Sequence, residues 1–146
     1  MPHFGLMDEK ALGPVAGPLQ RARLHLRGGR RRLGEGKIGA GVVTLYDAVS
    51  AAMESYAVSG KRPLQLRRRN DLYNEKKLYA ELVRSGVLDG SFDFEEFTGL
   101  MEKALEQELP GYDFRGLLAG VEALLLQLGV LPFDESTLPP EDPKTY

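Results

Sequence analysis

The sequence predicts an all-α fold, an up-and-down bundle of four to five helices. In the stretch 37–59, apolar side chains recur at alternating steps of four and three, namely Ile38, Val42, Leu45, Val49, Ala52 and Tyr56. This spacing places them on one face of a helix. A second apolar stripe lies beside the first, so this helix must be covered on more than one side and is predicted to be central. We find no convincing strand pattern anywhere in the chain.

The length and composition indicate one main domain. A chain of 146 residues is within the usual size of a single domain and can bury a stable hydrophobic core without disulfides or bound metals. We predict a flexible N-terminal arm at residues 1–17, a single helical-bundle domain at residues 18–133, and an extended or disordered acidic tail at residues 134–146. The prolines and acidic residues of that last stretch are typical of a segment without a packed core.

The first half of the bundle is predicted to contain two helices. The first begins at Pro18 with Gly17 as its N-cap, because proline suits the first helical position. The pair Gly28-Gly29 predicts a kink or break within it, since each glycine costs about 1 kcal/mol relative to alanine. The second helix is the central stretch, and Gly60 is expected to end it.

The second half is predicted to contain three helices. The third spans residues 71–85 with Asn70 as its N-cap. The fourth follows Asp93, whose pairing with Glu96 resembles a capping box. The fifth follows Asp113 as N-cap and ends at Gly129, and it is expected to form the core together with the central helix.

The residue inventory argues against several kinds of chemistry. The chain has no cysteine and two histidines, His3 and His25, so thiolate sites and sites with several histidines are excluded. Glu54 and Glu122 are the two carboxylates near apolar helix faces, and we interpret them as flanking residues paired with arginine. No nucleophile–base set can be assembled. We therefore expect no enzyme activity, no cofactor and no metal.

The sequence also lacks the patterns expected for a membrane span and for a signal peptide. No run approaches the roughly 18 apolar residues of a membrane span. The first ten residues do not have the basic flank and apolar core of a signal peptide. These observations predict a cytoplasmic protein without membrane association.

Two local patterns resemble ligand-binding loops. Residues 34–39 match G-x-G-x-x-G, but an arginine-rich helix precedes them where a dinucleotide fold has a strand, so a helix–helix turn is the better interpretation. Residues 89–97 resemble half of an EF-hand loop, yet Val87 would occupy a position that needs a side-chain oxygen. We interpret those residues as the capped start of the fourth helix.

The charge distribution divides the chain. Residues 1–69 contain 13 Lys/Arg and 5 Asp/Glu, whereas residues 70–146 contain 6 Lys/Arg and 16 Asp/Glu. The basic half includes two clusters, Arg30, Arg31 and Arg32, and Arg67, Arg68 and Arg69. Because guanidinium groups bind phosphate in a bidentate manner, both clusters are candidates for RNA, DNA or phosphate-ligand binding. The alternative, which we favour, is pairing with the acidic half, within or between subunits.

The central helix resembles that of HEPN-type helical bundles. The resemblance rests on Gly36-Lys37, Val42, the run from Leu45 to Val49, and Ala51-Ala52-Met53, about 25 residues in all. It implies an up-and-down bundle, frequent dimerisation, and partnership with nucleotidyltransferases or roles in RNA cleavage. Nuclease members use an Arg and a His four to six residues apart late in the bundle. This chain has no histidine after His25, so the resemblance implies a non-catalytic member.

These observations together predict a non-catalytic protein-interaction module. We expect it to be a homodimer that works through its helical faces, and the HEPN resemblance implies a protein partner such as a nucleotidyltransferase. The alternative function is nucleic-acid or phosphate-ligand binding at the two arginine clusters.

Overall fold

The computed structural model describes residues 9–66 and 69–141, which form an all-α helical bundle without a β-strand. The predicted fold class is confirmed. The α-helices are α1 (Glu9–Leu12), α2 (Ala16–Gly34), α3 (Ile38–Ser59), α4 (Glu75–Arg84), α5 (Phe94–Glu106) and α6 (Arg115–Gln127). Two short 3₁₀ turns, Arg69–Tyr73 and Glu135–Thr137, precede α4 and follow α6.

Helix α3 is the centre of the bundle, as its two apolar stripes predict. The first stripe is buried from Ile38 to Ala52, and α2, α4, α5 and α6 all pack against this helix. Tyr46 of the second stripe lies against the rings of Phe94 and Phe97 on α5, with centroids 5.6 and 5.1 Å away. The helix ends at Gly60, whose positive φ of 70° is the left-handed conformation expected after a helix.

The predicted break in the first helix is wrong, because α2 runs without interruption through Gly28 and Gly29. A Cβ atom at Gly29 would lie 2.7 Å from Leu45 Cδ2, and one at Gly41 would lie 2.7 Å from Leu33 Cγ. The glycines thus allow α2 and α3 to approach closely, and this packing offsets their low helix propensity. The helix also begins at Ala16, two residues before the predicted Pro18.

The later helices differ from the predictions mainly at their starts. The α4 helix begins after Asn74, whose Oδ1 accepts a hydrogen bond from Lys77 N, and not after Asn70. The preceding residues form a 3₁₀ turn. Asp93 caps α5 as predicted, accepting from Glu96 N at 2.9 Å. For α6 the N-cap is Phe114 rather than Asp113, which accepts instead from Arg115 N.

Parts of the predicted N-terminal arm and of the predicted tail are among the described residues. Residues 1–8 of the predicted flexible arm lie outside the described residues, but residues 9–12 form α1. Residues 134–141 of the predicted tail, which we call the C-terminal strap, lie against α2. Leu138 of the strap is buried beside Leu24 of α2 in a small cluster separate from the main core.

Membrane insertion finds no support in the helices. Among residues 9–66 and 69–141, no helix is both long enough and apolar enough to cross a membrane.

Candidate functional site

The first arginine cluster is paired with carboxylates of the acidic half. Arg30 Nε donates to Glu122 Oε2 at 3.1 Å, and Arg30 Nη1 donates to Glu135 Oε1 at 3.3 Å. Arg31 Nε donates to Glu141 Oε2 at 2.5 Å, and its Nη1 donates to Glu35 at 3.0 Å. The charge complementarity between the two halves of the sequence is therefore satisfied within one chain at this face.

Arg32 and the second cluster are placed differently. Arg32 turns toward α3, where its Nη1 donates to Thr44 Oγ1 at 3.2 Å. Partial burial, together with the charge of Arg31, lowers the pKa of the Arg32 guanidinium. Arg67 and Arg68 lie outside the described residues, as does the side chain of Arg69. The six arginines predicted from the sequence are therefore not brought together into one described site.

The two carboxylates singled out in the sequence have different surroundings. Glu122 of α6 accepts from Arg30, as predicted. Glu54 of α3 is half-buried, and this burial raises the pKa of its carboxyl despite the opposing charge of Arg21. Among the described residues, no group of three or more His, Cys, Asp or Glu side chains could hold a metal ion.

A polar cluster that the sequence did not reveal ties α1, α2 and α3 together. His25 is buried on α2, and its Nε2 lies 2.9 Å from Asp47 Oδ2 on α3. Arg21 lies within 3.6 Å of the same carboxylate and also contacts Glu9 of α1 at 3.1 Å. The cluster links three helices, and we interpret it as structural. The partner of His25 could not be identified from the sequence alone, because the carboxylate that accompanies it is 22 positions away.

The glycine-rich turn at residues 34–39 does not form a phosphate site. The backbone N of Gly39, in the first turn of α3, faces the Glu108 carboxylate at 3.4 Å. A Cβ at Gly39 would approach the backbone oxygens of Ala104 and Gln107 to within 3.4 Å. The glycine therefore lets α3 pack against the end of α5, and an acidic side chain occupies the position that an anion would need.

A cleft with a volume of about 430 Å³ lies between α5 and α6. Both helices rest on α3, and the floor between them is apolar, formed by Phe97, Leu100, Leu117 and Leu124. The ring of Phe92 closes one end, where it packs edge-on against Phe97 with centroids 5.4 Å apart. This volume lies within the range of about 300–1,000 Å³ that is usual for ligand sites.

Glycines widen the α6 side of this cleft. A Cβ at Gly120 would lie 3.0 Å from the Phe92 ring, so the glycine is needed for that contact. Gly116, one turn earlier, has no atom within 4 Å of its would-be Cβ. The cleft is therefore open beside Gly116, where a larger side chain would fill it.

Carboxylates surround the cleft, which is lined by Asp89, Asp93, Glu96 and Asp113. Asp89 is fixed by Ser91, which donates from its N and Oγ, and by Gln127 of α6. The hydrogen bonds from Ser91 lower the pKa of Asp89. The fork of Arg115 lowers the pKa of Asp113 to about 2. These two acids are therefore ionised at neutral pH and held at the cleft.

Glu96 is the carboxylate best placed to meet a ligand. Its side chain is exposed in the first turn of α5 and makes no ion pair with a described residue. From the sequence, Glu96 was recognised only as a capping residue, and the cleft was not predicted. The available signals were the four-residue spacing of Gly116 and Gly120 and the apolar–acidic pattern of α5.

Comparisons of this chain with protein-family models, with curated proteins and with solved structures found no match.

Proposed function

We propose that this chain is a non-catalytic protein-interaction module whose binding site is the cleft between α5 and α6. The observation that carries the proposal is the combination of an apolar floor with a carboxylate rim in one open cleft. Helix-in-groove recognition uses such a floor to bury apolar anchors spaced three or four residues apart. The rim adds charge complementarity, which selects the partner and speeds its association.

The occupant that fits this chemistry is a cationic amphipathic helix of a protein partner. Leu-type side chains would lie over Leu100 and Leu117, and Lys or Arg side chains would reach Glu96 and the neighbouring aspartates. An acidic segment would place like charges together, which costs several kcal/mol. A nucleic acid is disfavoured at this cleft for the same reason.

The test measures binding of a fluorescein-labelled helical peptide of Leu and Lys by fluorescence anisotropy. A peptide with Glu in place of Lys is the ligand control. Gly116→Met fills the cleft and should weaken binding about tenfold or more, as expected for loss of a buried anchor. Gly99→Met is the matched control, because Gly99 is also helical with open space around it but does not line the cleft.

The charge contribution is tested on the same helix. Glu96→Lys should weaken binding of the Lys peptide, whereas Glu102→Lys makes the same charge change at an exposed α5 position outside the cleft and should have a smaller effect. The proposal fails if the Lys peptide does not bind, or if the cleft and control variants weaken binding equally.

We also propose that the module is a homodimer. An exposed hollow with a largely apolar lining supports this, because Val58 and Tyr73 lie there beside Pro14, Pro18 and Leu72. A second subunit could bury these apolar side chains. The nucleotidyltransferase partner rests on the HEPN resemblance alone and remains an expectation.

The alternative function, nucleic-acid binding at Arg30, Arg31 and Arg32, has less support in this structure, in which the C-terminal strap lies against α2. Arg30 and Arg31 already hold intramolecular carboxylates, and Arg32 turns toward Thr44. A nucleic acid would have to displace these carboxylates.

A further inference from the structure

Three arginines of α2 form a single cationic face, which we call the arginine face: Arg27, Arg30 and Arg31. Their spacing of three and four places them on neighbouring positions of one helix surface, within about one turn or 6 Å along the axis. Guanidinium groups grouped in this way are suited to bidentate contacts with phosphate oxygens. This face is independent of the α5–α6 cleft, which none of the three residues lines.

The C-terminal strap covers the arginine face and contributes the groups that occupy it. Glu141 lies between two guanidinium groups, with Oε1 3.4 Å from Arg27 Nε and Oε2 bonded to Arg31 Nε. Arg27 Nη2 also donates to the carbonyl of Pro139 at 2.7 Å. Only 16% of the Arg27 side chain and 19% of the Arg31 side chain are exposed, so a polyanion cannot reach them while the strap is in place.

The strap is attached in a way that permits its removal without loss of the bundle. Its buried apolar anchor is Leu138, which packs on Leu24 in a cluster separate from the main core. The remaining strap contacts described above are ion pairs and hydrogen bonds to arginines. The Arg30–Glu135 pair is partly exposed and is therefore screened by salt, whereas Glu141, with 8% of its side chain exposed, forms less screened pairs with Arg27 and Arg31. A competing polyanion offers the same guanidinium groups phosphate oxygens in place of these carboxylates, and the core helices keep their own contacts when the strap is displaced.

We propose that the arginine face is a binding site for the phosphodiester backbone of nucleic acid, and that the C-terminal strap is an intramolecular acidic cover that blocks it. The carboxylates of Glu135 and Glu141 take the places that phosphate groups occupy in the open form. The two forms exclude each other because they use the same guanidinium groups. This assignment is a second binding activity in addition to the proposed protein-interaction cleft.

The test compares the full chain with a variant that ends at Phe133, in which the strap is deleted. Binding of a labelled single-stranded RNA, and of DNA of the same sequence, is measured by fluorescence anisotropy at several salt concentrations. The shortened variant should bind at least about tenfold more tightly than the full chain at low salt. Its log K should fall with log salt with a slope of about −1.4 to −2.1, as expected for two or three phosphate contacts on a single strand.

Two controls separate the strap from other causes. A variant that ends at Glu141 keeps the strap and should bind as weakly as the full chain. The double variant Glu135→Gln/Glu141→Gln keeps Leu138 and all backbone contacts but loses both carboxylates. It should bind with intermediate affinity, and it tests the proposal even if the shortened chain does not fold, which circular dichroism would reveal.

Substitutions in the shortened chain locate the site. Arg27→Gln/Arg31→Gln should remove most of the gained affinity, whereas Arg115→Gln, at an arginine paired only with Asp113 among the described residues, should leave it unchanged. Gly116→Met should also leave it unchanged, which distinguishes this site from the cleft. Competition by inorganic phosphate at concentrations that match the RNA phosphates would indicate a small-anion site instead.

The proposal is overturned by any of three results. These are a folded shortened chain that binds RNA and DNA no better than the full chain, a double glutamine variant without any gain, and a gain that survives Arg27→Gln/Arg31→Gln.

Discussion

Single residues in this bundle combine local partners with partners that lie farther away in the sequence. Glu81 of α4 is almost fully buried, and its Oε2 accepts from Gln65 N at 2.6 Å. Both of its oxygens also accept from the fork of Arg84. The Arg84 and Gln65 hydrogen bonds lower the pKa of Glu81 from the ordinary value of 4.5 to about 2. Glu81 thereby attaches the connector after α3 to the side of α4.

This pKa shift makes the stability of the bundle depend on pH at one residue. A carboxyl with a lower pKa in the folded state stabilises that state above its unfolded pKa, and the contribution is lost as the pH falls. We expect Glu81→Gln to lower the free energy of unfolding at pH 6. The difference in the free energy of unfolding between this variant and the wild type should become smaller as the pH falls from 4.5 to about 2.

The measurement is urea denaturation of both proteins at pH 6 and at pH 3. Glu106→Gln, which changes an exposed carboxylate at the end of α5, is the control and should alter stability little at either pH. An equal difference between wild type and Glu81→Gln at the two pH values would contradict the assignment.

For single residues, the sequence indicates the chemical type of a side chain better than it indicates the partners that contact this side chain in the fold. Asp93 could be identified as a cap because its partner, Glu96 N, lies three residues away. His25 and Glu81 could not be assigned, since Asp47 and the backbone of Gln65 are brought to them only by the packing of whole helices. The rim of the cleft was missed for the same reason.

The helices were predicted well where the sequence signals are local, and less well where packing against neighbouring helices determines their bounds or their continuity. The apolar stripes of α3 specified its position, because periodicity reports directly on burial. Asn70 and Asn74 are equally good N-cap types, so the sequence could not choose between them. The pair Gly28-Gly29 has a local cost that favours a break, and the close packing of α3 reverses the outcome.

That close packing leads to a prediction at the level of the helix pair. Gly41→Ala places a Cβ 2.7 Å from Leu33 side-chain atoms and 3.2 Å from its backbone N. Overpacking of this kind costs about 1–3 kcal/mol, and the gain in helix propensity offsets about 1 kcal/mol of that cost. We therefore expect Gly41→Ala to destabilise the protein by up to about 2 kcal/mol in chemical denaturation.

Gly99→Ala is the matched control for this prediction. Gly99 is also inside a helix, but nothing lies within 4 Å of its would-be Cβ. It should stabilise the protein by up to about 1 kcal/mol. If both variants stabilise the protein equally, α2 and α3 are not packed as closely as described.

At the scale of the whole molecule, the opposite charges of the basic and the acidic half of the sequence are partly paired with each other within one chain. Arg30 and Arg31 of the first half hold Glu122, Glu135 and Glu141 of the second half. The sequence predicted this complementarity but left open whether it joins one chain or two. Only the fold, which returns residues 134–141 to α2, distinguishes the two possibilities for these residues.

This internal pairing bears on the proposed homodimer. Because these opposite charges meet within one chain, we expect the subunit contact to be mainly apolar and therefore stable at high salt. Light scattering should give twice the chain mass of 16.1 kDa at both low and high salt. Tyr73→Asp, in the exposed apolar hollow, should reduce the mass to that of one chain.

Leu105→Asp is the control for the dimer, since Leu105 is as exposed as Tyr73 but lies outside that hollow. A wild-type protein that scatters as one chain at every concentration would contradict the dimer. A dimer that dissociates in high salt would instead indicate a charged interface.

The contacts between α2 and the C-terminal strap also have a consequence for folding during translation, because they join an early segment of the chain to a late one. Arg30 and Glu135 are 105 positions apart. Ribosomes add about 5–20 residues per second, so roughly 5–20 seconds separate the synthesis of the two residues. During this interval the nascent chain carries a cationic helix, without its acidic cover, beside the polyanionic ribosomal surface. The strap contacts on α2 can form only after residue 141 has been added.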